Sequence, residues 1–80
     1  MAQLYFMGRL ADSFGPMTQD DIPPDVTTVT ELKKWLHNKS RADAIIEPTV
    51  RTAINDVIVP DSSPVKNTDK VVFLPVVGGG

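Results

Sequence analysis

Residues 2–7, AQLYFM, set Leu4 and Phe6 on one alternating side and Tyr5 and Met7 on the other, and both sets are apolar. Period-two alternation predicts a strand, and apolar residues on both sides predict one covered on both faces. GRLADSFG then spaces Leu10, Ala11 and Phe14 as a short helix would. It stops at Gly15-Pro16, because glycine ends a helix readily and proline cannot continue one. From Met17 to Asp25 the chain is polar and carries Pro23-Pro24, which limits a second strand to about residues 22–27, at a sheet edge.

The pattern changes period at TVTE. Thr28 followed by Glu31 is a capping box, and Val29, Leu32, Trp35 and Leu36 line one face behind it, leaving Glu31, Lys33, Lys34 and His37 on the rest. This is the main helix, expected to end near Asn38. RADAII adds a helical turn or two before Pro48, and VRTAINDVIVP predicts two short strands hinged at Asn55-Asp56. The stretch from Asp61 to Thr68 is a turn-rich connection, and DKVVFLPVV is the last strand, nearly continuous in apolar residues and bounded by Pro75.

Strand, short helix, strand, long helix and three strands make an α+β protein. Its economical form is a mixed sheet of about five strands, with the long helix across one face to bury the stripe from Val29 to Leu36. Eighty residues allow one domain, since a chain this short buries only roughly 60–65% of its unfolded surface. Residues 1–77 are assigned to that domain, and 78–80 to a flexible glycine tail.

Composition narrows the function. An apolar fraction of 41% is ample for folding, and a net charge of -2 argues against a nucleic-acid partner, whose phosphates require Lys and Arg. No apolar run approaches the roughly 18 residues of a membrane span, and the N-terminus lacks a signal-peptide pattern, so a cytoplasmic location and no membrane partner are expected. The absence of cysteine removes disulfides, thiolate metal sites and cysteine nucleophiles together.

The remaining side chains carry little chemistry. His37 stands alone on the polar side of the main helix and reads as a surface histidine rather than part of a triad. Asp20, Asp21 and Asp25 lack the spacing of a calcium loop and read as a solvated acidic loop, so no metal site is assigned. Lys33, Lys34, Lys39 and Arg41 read as a solvated basic face, and Arg9 and Arg51 belong to no motif. Trp35 and Phe14 are expected in the core. Met7, Ile58 and Leu74 admit two readings, a filled core or an exposed apolar patch awaiting a partner.

The functional weight therefore falls on PVVGGG. Pro75, Val76 and Val77 are stiff, and Gly78, Gly79 and Gly80 have no Cβ, so this segment could enter a channel too narrow for side chains. Its reactive group would be the α-carboxylate of Gly80. A carboxylate is a poor electrophile and would need activation, for which an acyl-adenylate made from ATP would serve. The sequence has no ATP-binding loop, so no cofactor is expected on this chain and a second protein would supply the ATP chemistry. The alternative is an inert, flexible terminus.

Taken together, LYFMGRLADSFG, TTVTELKKWL and the closing segment from Ile54 to Gly80, which opens on INDVIVP and ends on KNTDKVVFLPVVGGG, resemble the ubiquitin-like sulfur-carrier group, most closely the family of molybdopterin synthase small subunits, also called molybdopterin converting factor subunit 1. The resemblance covers almost the whole chain. It implies a β-grasp fold. It also implies an E1-like adenylyltransferase that activates Gly80, a sulfur donor protein that converts it to a thiocarboxylate, and a large synthase subunit that receives the tail in a heterotetramer. The sulfur would go to cyclic pyranopterin monophosphate, to build the dithiolene of the molybdenum cofactor. This chain would then be a bound sulfur donor and not catalytic alone. Gly79 and Gly80 take the family's Gly-Gly, and Gly78 stands where Ser, Thr or Ala is usual. Met7, Ile58 and Leu74 fall where the family contacts its large subunit, with Pro75 preceding the tail. Thr68 departs from the pattern, standing where glycine is typical, and a β-branched residue tolerates positive φ badly. A carrier for thiazole or tRNA thiolation, a conjugated protein modifier and an inert interaction domain are the other readings.

Overall fold

The structure, a computed structural model, describes residues 1–75. Its elements are β1 (Ala2–Phe6), α1 (Leu10–Phe14), β2 (Met17–Asp20), α2 (Val29–Ser40), a 3-10 turn (Asp43–Ile46), β3 (Val50–Ile54), β4 (Val57–Val59) and β5 (Lys70–Pro75). The five strands form one mixed sheet in the order β2-β1-β5-β3-β4. β5 lies at the centre, parallel to β1 and antiparallel to β3.

The predicted main helix is present, and its start follows from its first residues. The Thr28 side chain accepts from the Glu31 N–H, while Glu31 accepts from the Thr27 hydroxyl at 2.8 Å and from the Thr27 N–H at 3.2 Å. The bonds that the carboxylate accepts, led by the one from the Thr27 hydroxyl and followed by that from the Thr27 N–H, hold the Glu31 carboxyl below its ordinary pKa. The helix runs two residues past the expected end and closes at Arg41, whose φ of 61° is left-handed. Val29, Leu32 and Leu36 are buried, and Leu32 and Leu36 join Leu4, Phe6, Val71 and Phe73 in the core cluster. Each such burial contributes about 1.5–3 kcal/mol. Phe14 and Trp35 pack against this core only partly buried, and Lys39 Nζ sits 4.3 Å above the Trp35 ring.

Several expectations need correction. The second strand is Met17–Asp20 rather than 22–27, because the turn at Gly15-Pro16 folds the chain straight back onto β1, with Tyr5 opposite Met17 and Ala2 opposite Asp20. Ile22 is instead a buried loop residue, held by Asn67, whose Oδ1 accepts the Ile22 N–H at 2.7 Å and whose Nδ2 donates to Ile22 O at 3.0 Å. Asp20 is not part of a solvated acidic loop, for it ends β2 and takes bonds from Thr18 at 2.6 Å and Lys39 at 3.2 Å. β1 is covered on one face alone: Ala2, Leu4 and Phe6 are buried, whereas Gln3 is exposed and Tyr5 half-buried.

The turns follow local rules. Asn55 and Asp56, both at positive φ (51° and 73°), make the two-residue hairpin expected there. Thr68 avoids positive φ: Asp69 N–H donates to Lys66 O at 3.1 Å, and Asp69 Oδ2 accepts the Lys66 N–H at 2.8 Å, so the turn does not require glycine.

One core position is poorly matched to its surroundings. Thr52 is fully buried, and its hydroxyl has no hydrogen-bond partner among the described residues. Thr52→Val keeps the shape and removes the orphaned group, so it is expected to stabilise the fold by about 1 kcal/mol. A urea titration with an unchanged slope and a raised midpoint would confirm this, and a lowered midpoint would refute it.

Candidate functional site

Register across the sheet builds the candidate site. Tyr5 pairs with Met17 on one side and Val72 on the other; Val72 pairs with Ala53, and Ala53 with Ile58. Paired residues point to the same face, so these five form a continuous apolar row across every strand, on the face opposite the helix-covered core. Ile58 is 60% exposed and Met17 44%. Leu74 lies one step further along β5, opposite Arg51, and Met7, 49% exposed, continues the alternation beyond β1.

Of the two readings open for Met7, Ile58 and Leu74, the structure selects the exposed patch for Met7 and Ile58, while Leu74 is half-buried on the same sheet face as Ile58. By register Ile58 reaches Leu74 only through Ala53 and Val72, whereas Met7 follows Phe6, the partner of Phe73, and so lies at the level of Leu74. Sequence reasoning does not identify Met17, Ala53 and Val72 as members of the patch. A signal for Ala53 exists all the same, since a two-residue turn at Asn55-Asp56 places it opposite Ile58.

The base of the C-terminal segment is firmly built. Pro75 pairs with Val50, and Met7 N–H donates to Phe73 O at 3.0 Å. Gly8 has φ +54°, which glycine adopts without strain, and a Cβ there would come to 3.1 Å from Pro75 Cγ, so a side chain at this position would press on Pro75 where the β1–α1 corner meets it. An Arg9–Glu47 ion pair ties that corner to the end of the 3-10 turn. Gly78, Gly79 and Gly80 lie outside the described residues.

Lys33 also supports this region, and its assignment to a solvated face is wrong. It is 5% exposed and donates to Val50 O at 3.0 Å and to Asp61 Oδ1 at 3.0 Å. Positions 29, 32, 33 and 36 follow i, i+3, i+4, i+7, so spacing alone puts residue 33 on the inward stripe. Its charge conceals that, because a lysine can bury its stem when its head finds acceptors.

Among the described residues, no side-chain constellation competes with this site. His37 Nε2 lies 2.8 Å from Asp43 Oδ1 and, among the described residues, is hydrogen-bonded to no hydroxyl. No group of three or more His, Cys, Asp or Glu among the described residues could hold a metal ion. A hollow of about 140 Å³ beside Lys33, Glu47 and Asp61 is well below the roughly 300–1,000 Å³ of typical small-molecule sites. Among the described residues no helix is long and apolar enough to cross a membrane.

Comparison with known proteins agrees with this architecture. The crystal structure of SAMP1 from Haloferax volcanii superposes with a TM-score of 0.76 at 15% identity, covering 99% of this chain and 98% of that one, which shows a shared β-grasp, ubiquitin-like fold. No curated protein sequence matches the chain. Residues 4–80 match the ThiS family, a span that includes both the apolar sheet face and the glycine segment. The chain therefore belongs to the ThiS family of ubiquitin-like sulfur carriers.

Proposed function

We propose that this protein is the sulfur-carrying small subunit of a molybdopterin synthase, with Gly80 as the reacting residue. The observation that carries this reading is the placement of the central strand. β5 is held on both sides and delivers the chain at Pro75 to the margin of an unpartnered apolar sheet face. A partner seated on that face through Met7, Ile58 and Leu74 would receive Pro75 and the glycines Gly78, Gly79 and Gly80 directly. The domain then spans residues 1–77 and the tail 78–80.

The chemistry takes place in partners. A Gly80 carboxylate oxygen attacks the α-phosphorus of ATP on an E1-like adenylyltransferase, releasing pyrophosphate. Sulfide-level sulfur from a donor protein then displaces AMP from the acyl carbon, leaving a thiocarboxylate. In the large synthase subunit the thiocarboxylate sulfur would bond to a carbon of cyclic pyranopterin monophosphate, displacing an oxygen there, and water would then cleave the acyl–sulfur bond, so that the sulfur stays on the pterin and Gly80 returns as a carboxylate. Acid–base groups belong to that subunit, and this chain contributes a positioned, side-chain-free donor.

The match to the ThiS family favours a second reading, a carrier with the same tail chemistry serving thiazole or tRNA thiolation. A protein modifier would differ at the last step, forming an isopeptide bond to a lysine.

Intact mass spectrometry after incubation with ATP, the adenylating enzyme and a sulfur source tests the proposal. The expected result is a gain equal to replacing one oxygen by sulfur, abolished by deleting Gly80. Sulfur delivery to cyclic pyranopterin monophosphate by the large subunit then separates molybdopterin synthesis from the other carrier pathways. An unchanged mass, with enzymes proven on another carrier, overturns the carrier chemistry. Lysine conjugates without a thiocarboxylate identify a modifier.

A further inference from the structure

We propose that the open sheet face docks on a different protein, one whose apolar patch presents a carboxylate to Arg51, and that it does not pair with a second copy of this chain. The inference deepens the carrier reading and rests on it. Its basis is an asymmetry of charge. The chain has ten acidic residues against eight Lys and Arg, yet the charged residues that the strands place on the open face are Arg51 and Lys70, both cations. The acid of β2, Asp20, pairs with Ala2 and so belongs to the opposite, core-facing set.

The two cations are not equivalent. Lys70 Nζ already has Asp56 Oδ1 at 3.2 Å and the Tyr5 ring centroid at 5.5 Å. Arg51 is exposed and takes part in no ion pair among the described residues. It stands opposite Leu74, one residue before Pro75, at the end of the face from which the tail departs.

Covering this face desolvates Arg51, and an unpaired charge in a closed interface is strongly unfavourable. A two-fold contact between copies presents the same surface from both sides, so it would bring cations to cations with no strand carboxylate to receive Arg51. A hetero-partner with an acidic group at that point removes the penalty. The guanidinium fork binds a carboxylate through two parallel hydrogen bonds, which fixes orientation as well as attraction. Pairing beside Leu74 would therefore set the angle at which the tail enters the partner, making Arg51 a positioning and specificity residue.

Calorimetric titration of the purified large synthase subunit and of the purified adenylating enzyme tests this with wild-type chain, Arg51→Gln and Arg51→Glu. Far-ultraviolet circular dichroism and thermal melts check that the variants, altered at an exposed position, remain folded. Arg51→Glu is expected to weaken binding to at least one partner by roughly 30-fold or more, with Arg51→Gln intermediate. Reversing the partner's facing carboxylate to arginine should restore binding of Arg51→Glu. Wild-type affinity of Arg51→Glu for both proteins overturns the inference while leaving the sulfur-gain test of the carrier reading intact. A wild-type dimer in sedimentation equilibrium that Ile58→Lys disperses overturns it as well. If wild-type chain binds neither protein, the carrier reading falls and takes the inference with it.

Discussion

Phe73→Ala is expected to cost about 3–5 kcal/mol, the usual range for emptying a buried phenylalanine site. Phe73 is fully buried in the central strand, its ring 5.4 Å from that of Phe6, which in turn stacks on Phe14 at 4.5 Å. The site has little freedom to collapse, because Phe73 is in register with Phe6 on one side and Thr52 on the other. At about 0.05–0.15 kcal/mol per residue, an 80-residue domain has roughly 4–12 kcal/mol in total, so this one truncation removes much of it. Urea unfolding followed by circular dichroism measures the loss. A midpoint close to that of the wild type would mean that the aromatic stack does not hold β5 in place. The strand that breaks is the one leading to the tail, so sulfur loading should fail with folding in this variant.

Ile58→Lys separates docking from folding. Ile58 is 60% exposed on edge strand β4, and a charged residue at an exposed edge position is expected to change stability by no more than about 0.5 kcal/mol. Covered by a docked partner, the same lysine would be desolvated without an acceptor, and apolar anchors in an interface account for about 2 kcal/mol or more of binding. The expected result is a folded monomer with unchanged melting behaviour and binding to the large subunit weakened about 100-fold or more. Calorimetry on the purified pair reads the second quantity and a thermal melt the first. A destabilised Ile58→Lys would place Ile58 in the core in solution, and full binding affinity would move the docking surface elsewhere.

These variants probe different kinds of information. The main helix is legible in the sequence because its determinants are local: a cap at Thr28, an acceptor at Glu31 and apolar residues on a 3.6-residue period. The hairpin at Asn55-Asp56 is legible for the same reason, since both residues tolerate the left-handed conformation it requires. The bare glycines and missing cysteine point to the tail without any fold. The position of β2 is not legible, because Met17–Asp20 has little apolar character of its own; pairing with β1 makes it a strand. Nor is the burial of Lys33, because two acceptors, Val50 O and Asp61 Oδ1, arrive from distant parts of the chain to satisfy its charge.

The sequence by itself therefore settled the α+β class, the capped helix, the apolar last strand and the residue types of the tail. Each depends on contacts within a few residues or on the identity of a side chain. Tertiary structure alone decided that Met17, Tyr5, Val72, Ala53 and Ile58 form one row and that Arg51 stands opposite Leu74 near the tail exit. Those facts are matters of strand order and register between segments up to 67 residues apart (5 to 72), and no local pattern of polar and apolar residues encodes them.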